Sequence, residues 1–548
     1  MESKITRVPT TPFTDQRPGT SGLRKKTRVF MQTHYIENFV QSVFSVVRET
    51  TGDFSDKTLV VGGDGRYHNR EATQLIIRIA IANGFGRLLV GRGSLLSTPA
   101  VSAVIRRRDA LGGLVLSASH NPGGIDEDFG IKYNVRNGGP APESVTEAIY
   151  HETCSISEYL ICEDVEIDID HEGSTKVGTT EVVIIDPLVD YCQLLEELFD
   201  FNALRELFAS GFRMTFDAMN AITGPYARHL LEERLGASPG TVINGEPLAD
   251  FGGHHPDPNL VHAADLVGRL SRPDGPDFGA ACDGDGDRNL IIGRNFFVSP
   301  GDSLAIIAEH AATAIPGYSD GLTGVARSMP TSTAADRVAK TLGIRSFETP
   351  TGWKFFGNLL DANLCTICGE ESFGTGSNHV REKDGVWAVF CWLSILAHTQ
   401  CSVEEVAREH WKRFGRSYYQ RHDFEGLDAD AAGKMISALR EQIPTLNKSE
   451  FAGDVIASAD DFSYTDPVDG SVATKQGIRL LLSDGSRVVF RLSGTGTSGA
   501  TLRLYVERYR DDGGVGNVEE VLAPLLKAAK ELLRLKEFCG REDATVIT

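Results

Sequence analysis

The sequence predicts an α/β fold with three related domains, followed by a C-terminal domain of the α+β class. A unit of strand, polar or glycine-rich loop, amphipathic helix and strand occurs three times, and such βαβ units form parallel or mixed sheets. The chain has 548 residues, which corresponds to three or four domains at roughly 150 residues each. The predicted domains are residues 1–190, 191–304, 305–402 and 422–548, with a linker at 403–421.

The three copies of the repeated unit are recognised by their hydrophobic patterns. Their first strands are predicted to begin near Thr58, Arg213 and Leu322. Their helices are predicted over residues 70–83, 225–235 and 334–342, and their second strands begin near Arg87, Thr241 and Ser346. Further helices over residues 187–208 and 303–314 are predicted to connect the units.

The last part of the chain follows a different pattern. Strands are predicted over residues 477–482, 487–492 and 501–508, and a closing helix over residues 518–536. Consecutive strands followed by a helix are typical of an α+β domain, so this part is not a fourth copy of the unit.

The chain is acidic, since 55 Lys and Arg residues against 75 Asp and Glu residues give a net charge of −20. This balance disfavours nucleic acid and an anionic membrane surface as the default partner. It does not exclude a phosphorylated small molecule, because cationic side chains can be concentrated locally in an acidic protein.

The cysteine and hydropathy patterns indicate a protein of a reducing compartment. The nine cysteines are scattered, and Cys365 and Cys368 form a CxxC with no second pair nearby, so we expect free thiols. No secretory signal is visible before Phe13. The most apolar run, residues 387–397, is shorter than the ~20 residues that span a bilayer. The predicted location is cytoplasmic, without a transmembrane segment.

The sharpest acidic cluster, Asp283, Asp285 and Asp287, lies between two predicted strands. In an extended loop the three carboxylates can point to one side, where they repel one another unless a cation lies between them. Oxygen ligands of this kind suit Mg²⁺. An EF-hand is excluded because its glycine and glutamate positions hold Arg288 and Arg294. The alternative is a solvated acidic turn.

A serine loop follows the predicted strand at residues 113–116. Ser119 lies next to His120 in a loop that ends in proline and glycine, where a serine can be a nucleophile or carry a phosphate. Lys132 follows closely and can supply positive charge or base catalysis. The residues alone leave open a polar turn with a hydroxyl cap.

A glycine-rich loop at residues 494–499 matches GxGxxG, but an alternating strand follows where a dinucleotide-binding fold requires a helix. Its hydroxyl, guanidinium and backbone N–H donors suit a phosphate instead. These donors belong to Arg491, Ser493, Gly494, Thr495, Gly496, Thr497 and Arg503.

Another loop, residues 369–385, combines carboxylates, hydroxyls and cations, among them Glu370, Ser372 and Lys383. Such a mixture suits a polyol, whose hydroxyls need both donors and acceptors. Taken by itself, this stretch is better explained as an ordinary polar loop.

Taken in this order, the four loops resemble those of the α-D-phosphohexomutase superfamily and, within it, the phosphoglucomutase branch. The resemblance extends over nearly the whole chain. Further motifs that carry it are DQRPGTSGLR at residues 15–24, HHPDPN at 254–259, RSMPT at 327–331 and TPTGWKFF at 349–356.

The resemblance implies a four-domain architecture around a central cleft. It also implies an isomerase that interconverts α-D-glucose 1-phosphate and α-D-glucose 6-phosphate, with glucose 1,6-bisphosphate as intermediate and activator. Ser119 is then the serine that carries a phosphoryl group, and it holds Mg²⁺ together with Asp283, Asp285 and Asp287.

The same resemblance implies roles for other residues. His120, Lys132 and Lys383 are the acid–base candidates, in no order, while Arg24 and Arg288 screen phosphate charge. Substrate contacts are expected at Thr20, Ser21, Arg24, Thr351, Gly352, Trp353, Lys354, Glu370, Ser372 and Lys383, and at the phosphate loop of Arg491, Ser493, Gly494, Thr495, Gly496, Thr497 and Arg503.

Several alternatives remain at this point. Related enzymes would be a phosphomannomutase, a dual-specificity hexomutase or a glucose 1,6-bisphosphate synthase. A different class is a parafusin-like protein of membrane scaffolds and exocytosis, with a reduced or additional non-enzymatic role. The expected partners are sugar phosphates and no nucleic acid, and the expected state is a monomer or weak dimer.

Overall fold

The computed structural model of the chain describes residues 4–19, 21–493 and 499–548. Its N-terminal part contains a seven-stranded sheet with the order β2-β6-β5-β3-β4-β9-β8. The elements of this part are β1 (Ile5–Pro9), β2 (Leu23–Lys26), α1 (Thr27–Phe30), α2 (Tyr35–Thr51), β3 (Thr58–Gly63), α3 (Asn69–Ala82), β4 (Arg87–Leu95), α4 (Thr98–Arg107), β5 (Gly112–Leu116), β6 (Asp128–Val135), α5 (Glu143–Thr153), β7 (Glu158–Cys162), β8 (Gly173–Val177) and β9 (Thr180–Ile185).

The first sheet is mixed and has helices on both faces. β3 is parallel to β4 and β5, and β6 is antiparallel to β5. Alternate residues of β3 serve opposite layers, since Leu59 and Val61 pack in a core with α2 and α3 while Val60 packs with α4. The first predicted βαβ unit therefore corresponds to β3, α3 and β4.

A second and a third sheet follow, with the strand orders β11-β10-β12-β13-β14 and β16-β15-β17-β18. The elements around the second sheet are α6 (Val189–Leu198), α7 (Phe201–Ala209), β10 (Met214–Asp217), α8 (Thr223–Ala227), a π-helix (Arg228–Arg234), β11 (Val242–Ile243), a 3₁₀ turn (Phe251–Gly253), α9 (Ala264–Leu270), β12 (Phe278–Cys282), β13 (Asn289–Gly293) and β14 (Phe296–Phe297). Those around the third sheet are α10 (Pro300–Ala314), a 3₁₀ turn (Pro316–Tyr318), β15 (Gly324–Ser328), α11 (Ala334–Leu342), β16 (Arg345–Thr349), α12 (Trp353–Asp361), β17 (Ile367–Gly369), β18 (Thr375–Ser377), α13 (Gly385–Thr399) and α14 (Val403–Phe414).

The three sheets share one topology. β10 is parallel to β11 and β12, and β13 is antiparallel to β12. Likewise β15 is parallel to β16 and β17, and β18 is antiparallel to β17. In every copy a central strand thus lies between two parallel neighbours, and an antiparallel strand follows the second neighbour.

Two helices differ from their predicted form. The helix predicted over residues 187–208 is interrupted, because Phe199 is extended and the Asp200 side chain accepts hydrogen bonds from the backbone N–H groups that begin α7. The helix predicted over residues 225–235 begins at Thr223, and its second half is the π-helix.

The C-terminal domain is an antiparallel sheet of the order β20-β21-β24-β25-β26-β19-β27, with α15 and α16 packed on one face. Its elements are β19 (Arg416–Leu427), α15 (Ala429–Leu446), β20 (Glu450–Phe451), β21 (Asp454–Asp461), β22 (Tyr464–Thr465), β23 (Val472–Ala473), β24 (Ile478–Leu482), β25 (Arg487–Ser493), β26 (Ala500–Arg510), α16 (Val518–Leu533), α17 (Leu535–Cys539) and β27 (Val546–Ile547).

Residues 403–421, predicted as a linker, form α14 and the beginning of β19. Gly415 joins the two with a φ of 72°, and a Cβ at this position would lie 2.5 Å from the Tyr509 ring. The connection is therefore a tight glycine turn packed against the last sheet.

The apolar run at residues 387–397 lies in α13, which is buried in the core that the first three domains share. Among the described residues no single helix is long and apolar enough to cross a membrane; only α13 and α14 as a pair, bent by 83°, meet that criterion of length and composition. The nine cysteines all lie in the described residues and form no disulfide, and Cys365 and Cys368 are both buried.

Candidate active site

Three of the polar loops occupy the same place in their sheets. Ser119 lies between β5 and β6, the acidic cluster between β12 and β13, and Glu370 between β17 and β18. Each loop connects a parallel strand to the antiparallel strand that follows it. The loops meet directly, because the Ser119 hydroxyl contacts Asp283 and the backbone N–H of Asn289 donates to the Phe373 carbonyl at 2.8 Å.

Ser119 is held in an unusual backbone conformation. Its φ of 54° lies in the left-handed region that serine seldom adopts. The Ser117 hydroxyl accepts the Ser119 N–H at 2.7 Å, and Arg66 donates to the Ser119 carbonyl at 2.7 Å. Gly284 approaches so closely that a Cβ there would lie 2.4 Å from this carbonyl. These contacts direct the Ser119 hydroxyl at Asp283, to which it donates at 2.7 Å.

The acidic cluster forms a compact set of oxygen atoms. One carboxylate oxygen from each of Asp283, Asp285 and Asp287 lies within 4.8 Å of the others, and all three residues are buried. Oδ1 of Asp285 has no hydrogen-bond partner among the described residues. Three converging buried carboxylates with an unsatisfied oxygen fit a hard divalent cation such as Mg²⁺.

The carboxylates of the cluster differ in their electrostatic surroundings. Burial raises the pKa of Asp283 well above its ordinary value, and the charges of Asp287 and Asp285 add to the effect. Burial acts on Asp285 in the same direction, but the Lys132 ammonium outweighs it and holds the pKa of Asp285 well below its usual range. Nζ of Lys132 donates to Oδ2 of Asp285 at 2.7 Å, and the Thr98 hydroxyl donates to the same oxygen at 2.7 Å.

Two lysines from different domains flank the cluster. Nζ of Lys383 lies 3.1 Å from Oδ1 of Asp287, and Nζ of Lys132 lies 4.0 Å from its Oδ2. Burial lowers the pKa of Lys132, but Asp285 and Asp287 outweigh burial, so the net shift is upward. Lys132 is thus held as an ammonium ion.

His120 is adjacent to the serine but differs from the lysines. Its Nδ1 is buried and has no hydrogen-bond partner in the part of the chain that the structure describes. Burial lowers the pKa of His120 well below its ordinary value, and the nearby Arg288 and Arg24 lower it further. The imidazole is therefore neutral at neutral pH.

The two arginines assigned to charge screening both lie beside the cluster. Arg24 is on β2, and its Nε is buried without a hydrogen-bond partner within residues 21–493 and 499–548. Burial lowers the pKa of Arg24, although a guanidinium stays charged. Arg288 lies 3.6 Å from Asp257 and 4.0 Å from Asp283. Ser21, just before β2, is half-buried, whereas Thr20 lies outside the described residues.

The third loop presents a buried carboxylate beside a hydroxyl. Oε1 of Glu370 accepts the N–H of Gly352 at 3.1 Å, and burial raises the pKa of Glu370. Ser372 is half-buried two residues further on. Oγ1 of Thr351 is buried and unpaired among the residues with described positions. The Glu370 carboxylate thus contacts the backbone next to Thr351.

Two predicted substrate contacts point elsewhere in this structure. Trp353 lies in a small hydrophobic core, edge-on to Phe356 at 5.0 Å. Nζ of Lys354 lies 2.5 Å from Oε2 of Glu143, across the boundary between the first and third domains. The structure does not bring these two side chains together with the acidic cluster.

The C-terminal domain presents basic residues on one sheet face. Arg491 and Arg503 are directly opposite each other on β25 and β26, and Asp423 on β19 is opposite Arg503. Nε of Arg503 lies 3.7 Å from Asp423. Ser493 ends β25, and its hydroxyl donates to the Thr501 carbonyl at 3.5 Å. The predicted phosphate contacts Gly494, Thr495, Gly496 and Thr497 lie outside the described residues.

Several site residues were not predicted from the sequence. Arg421 is two residues from Asp423 on the same face of β19, and its Nε lies 3.0 Å from Asp423. The two-residue periodicity of β19, which places Arg421 and Asp423 on one face, was the sequence signal that could have identified Arg421. Thr98 and Glu382 belong to no sequence motif. The structure identifies them by their contacts, since Thr98 donates to Asp285 and Glu382 accepts from β6, the strand that carries Lys132.

Family models match four successive segments of the chain. Residues 15–160, 189–296 and 300–414 match the alpha/beta/alpha domains I, II and III of phosphoglucomutase/phosphomannomutase. Residues 416–545 match the C-terminal domain of Phosphoglucomutase-1.

Similar proteins and structures cover nearly the whole chain. The phosphoglucomutase of Rhizobium radiobacter is 57% identical, and the alignment covers 99% of this chain and 100% of the relative. The cytoplasmic phosphoglucomutase of Pisum sativum is 51% identical and covered to 99% on both sides. The open form of the exocytosis-sensitive phosphoprotein pp63/parafusin, a phosphoglucomutase from Paramecium, is 48% identical with a TM-score of 0.93, and 99% of each chain is covered.

Proposed function

The chain belongs to the phosphoglucomutase family, and from this premise we propose how its residues interconvert α-D-glucose 1-phosphate and α-D-glucose 6-phosphate. The observation that carries the proposal is the contact of the Ser119 hydroxyl with Asp283 at 2.7 Å, at the edge of three converging carboxylates. Such a serine can carry a phosphoryl group whose charge a cation in the cluster balances.

Ser119, Asp283, Asp285 and Asp287 are the proposed ligands of Mg²⁺. When bound, the ion withdraws charge from the phosphoryl group and so stabilises its transfer. The chain's own residues supply the remaining charge balance. Arg24 and Arg288 are placed to screen the phosphate, and Lys132 holds Asp285 in its ionised form.

The proposed reaction is two phosphoryl transfers with opposite directions. In the first, the 6-hydroxyl of glucose 1-phosphate bonds to phosphorus and releases its proton, while the bond between phosphorus and the Ser119 oxygen breaks and this oxygen takes up a proton. The product is glucose 1,6-bisphosphate. After this intermediate reorients in the site, the Ser119 hydroxyl loses its proton and its oxygen bonds to the phosphorus of the 1-phosphoryl group. The bond between this phosphorus and O1 of the sugar breaks, O1 takes up a proton, and glucose 6-phosphate leaves.

Proton transfer requires a group that can lose and gain a proton near the transferring phosphoryl. The Asp285 contact keeps Lys132 protonated, so we assign Lys132 to charge balance and not to proton transfer. His120 and Lys383 are then the acid–base candidates; the imidazole is neutral beside the serine, and Nζ of Lys383 lies 3.1 Å from Asp287.

The site must bind the sugar in both of its orientations with the same residues. We propose that Glu370 and Ser372 read the hydroxyls that are similarly placed in the two orientations, with Thr351 and Gly352 beside them. The phosphate remote from Ser119 is proposed to bind Arg491, Ser493 and Arg503, with Arg421 and the loop at residues 494–497. A guanidinium fork pairs well with phosphate oxygens.

The proposal is tested by replacing Ser119 with Ala. In a coupled assay with Mg²⁺ and added glucose 1,6-bisphosphate, S119A should lose conversion of glucose 1-phosphate to glucose 6-phosphate. An unchanged rate would remove Ser119 from the reaction. Comparing kcat/KM for glucose 1-phosphate and mannose 1-phosphate separates a glucose enzyme from a dual-specificity hexomutase.

Cytoplasmic location is part of the proposal and is supported by the cytoplasmic relative from Pisum sativum. A phosphoglucomutase from Arabidopsis thaliana named chloroplastic is 53% identical, so fluorescence microscopy of the tagged protein is the deciding experiment. A monomer or weak dimer stays a prediction for sedimentation analysis.

A further inference from the structure

The loop that carries Lys383 is tied to four other elements by four consecutive side chains. Arg381 donates to Asp361 of α12 at 2.5 Å. Glu382 contacts β6, Lys383 contacts the acidic cluster, and Asp384 accepts a hydrogen bond from Tyr191 of α6 at 2.6 Å. Among these four, only the Glu382 contact leads to the strand that carries the other lysine of the site.

Glu382 is a buried carboxyl with a single defined partner. It is 2% exposed, and its Oε1 accepts a hydrogen bond from Nδ2 of Asn134 at 2.9 Å. Asn134 is itself fully buried, and its Nδ2 also donates to the Gly138 carbonyl at 3.0 Å. The amide is therefore fixed by the turn after β6, so it offers Glu382 a rigid point of attachment.

Asn134 and Lys132 are two residues apart on β6, so their side chains leave the same face of the sheet. Lys383 is adjacent to Glu382 in the chain. One hydrogen bond thus joins the backbone that carries Lys132 in the first domain to the backbone that carries Lys383 in the third. Nζ of Lys132 and Nζ of Lys383 lie 4.0 and 3.1 Å from the Asp287 carboxylate.

We propose that Glu382 is a positioning residue for phosphoryl transfer, which sets the distance between Lys132 and Lys383 through its hydrogen bond to Asn134. This inference rests on the proposed function, in which the two lysines act beside the phosphoryl group. Displacement of a catalytic group by about 1 Å can lower a rate by about 100-fold. Within the described residues, the Glu382 side chain hydrogen-bonds only to Asn134.

The hydrogen bond needs an acceptor on residue 382 but not a negative charge. Burial raises the pKa of Glu382 to about 7, Lys132 opposes this shift, and Asp287 adds to it. Oε1 can accept from Asn134 in either protonation state. A glutamine at this position keeps the acceptor and the side-chain length, whereas an alanine removes both.

The experiment compares variants in the full-length enzyme with saturating Mg²⁺ and glucose 1,6-bisphosphate. Glu382→Ala should lower kcat by about 100-fold with KM changed by less than about 3-fold, since only positioning is lost. Glu382→Gln should recover kcat to within about 5-fold of wild type, because the acceptor is retained. Asn134→Ala should reproduce the loss, and the double alanine variant should be no slower than either single one, because both remove the same hydrogen bond.

Asp361→Ala is the matched control. Asp361 lies in the same interface, where it accepts from Arg381 at 2.5 Å and from Asn137 at 2.6 Å, and neither partner is on β6 or in the acidic cluster. It should keep the wild-type kcat, and its melting temperature calibrates the cost of weakening this interface. If Glu382→Ala does not fold, Asn134→Ala provides the same test.

The inference is contradicted if wild type is active but Glu382→Ala keeps kcat within about 3-fold, or if the losses from Glu382→Ala and Asn134→Ala multiply in the double variant. It is also contradicted if glutamine is as slow as alanine. An inactive wild type would instead refute the proposed function, so the two failures are distinguishable.

Discussion

On one face of the C-terminal sheet, the arginines at the two ends differ in their ionic partners. At one end, Nε of Arg487 lies 2.6 Å from Glu507, and Arg487 also donates to the Met329 carbonyl at 2.7 Å. Glu507 accepts the Thr333 N–H of the third domain at 2.9 Å. At the other end, Arg421 and Arg503 lie 3.0 and 3.7 Å from the Asp423 carboxylate, and Arg491 is directly opposite Arg503 on the neighbouring strand.

The difference follows from charge balance. A buried guanidinium is tolerated when a carboxylate and carbonyl oxygens satisfy it, so Arg487 joins the third and fourth domains. Two guanidiniums beside one carboxylate, with that of Arg491 on the neighbouring strand, leave an excess of positive charge, and this excess suits an anionic ligand. The paired end thus supports the interface, and the unbalanced end is where we propose that phosphate binds.

The largest effect is expected at the paired end. Arg487→Met leaves Glu507 buried without its closest counter-charge, which should destabilise the C-terminal domain by about 3–5 kcal/mol. Thermal unfolding and limited proteolysis measure this loss. An unfolding curve equal to that of the wild type would mean that Arg487 does not hold the interface together.

The second largest effect should be the loss of folding stability at this interface as the pH falls. Burial raises the pKa of Glu507, but Arg487 and Arg337 outweigh burial and lower it from 4.5 to about 2. A lowered pKa contributes stability above the ordinary value that is lost as the pH falls through the folded value, here between about pH 4.5 and 2. The loss is about 3 kcal/mol at 1.36 kcal/mol per unit. Urea unfolding across this range should show a step that is absent in Glu507→Gln.

The smallest effect on stability, and a clear effect on substrate, is expected at the unbalanced end. Arg503→Ala and Arg421→Ala should each raise KM for glucose 1-phosphate by about 10-fold or more, because a charge-assisted hydrogen bond contributes about 1.5–3 kcal/mol. Their unfolding free energies should change by less than about 1 kcal/mol. Loss of stability without a change in KM would mean that these arginines stabilise the fold, as Arg487 does, and do not bind the substrate.

The repeated fold was largely predictable because its signals are local. Hydrophobic periodicity identified β3, α3 and β4, as well as β15 and α11, and the family match confirms the α/β class. The interruption at Phe199 escaped prediction, since an aspartate inside an amphipathic pattern gives no sign of whether it caps a new helix. The π-helix at Arg228 also has no periodicity of its own.

The site was predictable to the extent that its chemistry is concentrated in loops. Ser119, Asp283, Asp285 and Asp287 were found by residue type and spacing, and the structure places them together. Partners supplied by other domains were not predictable. The pairing of Lys354 with Glu143 is one example, because the two residues are 211 positions apart and only the fold brings them together.

The central claim is that Ser119 exchanges a phosphoryl group with the sugar, and a single-turnover experiment tests it most directly. Enzyme labelled with radioactive phosphate is mixed with excess glucose 1-phosphate and Mg²⁺, and the label is followed on protein and sugar. The account predicts that label leaves Ser119 and enters glucose 1,6-bisphosphate and glucose 6-phosphate within one turnover. Label that stays on Ser119 while unlabelled glucose 6-phosphate accumulates would contradict it.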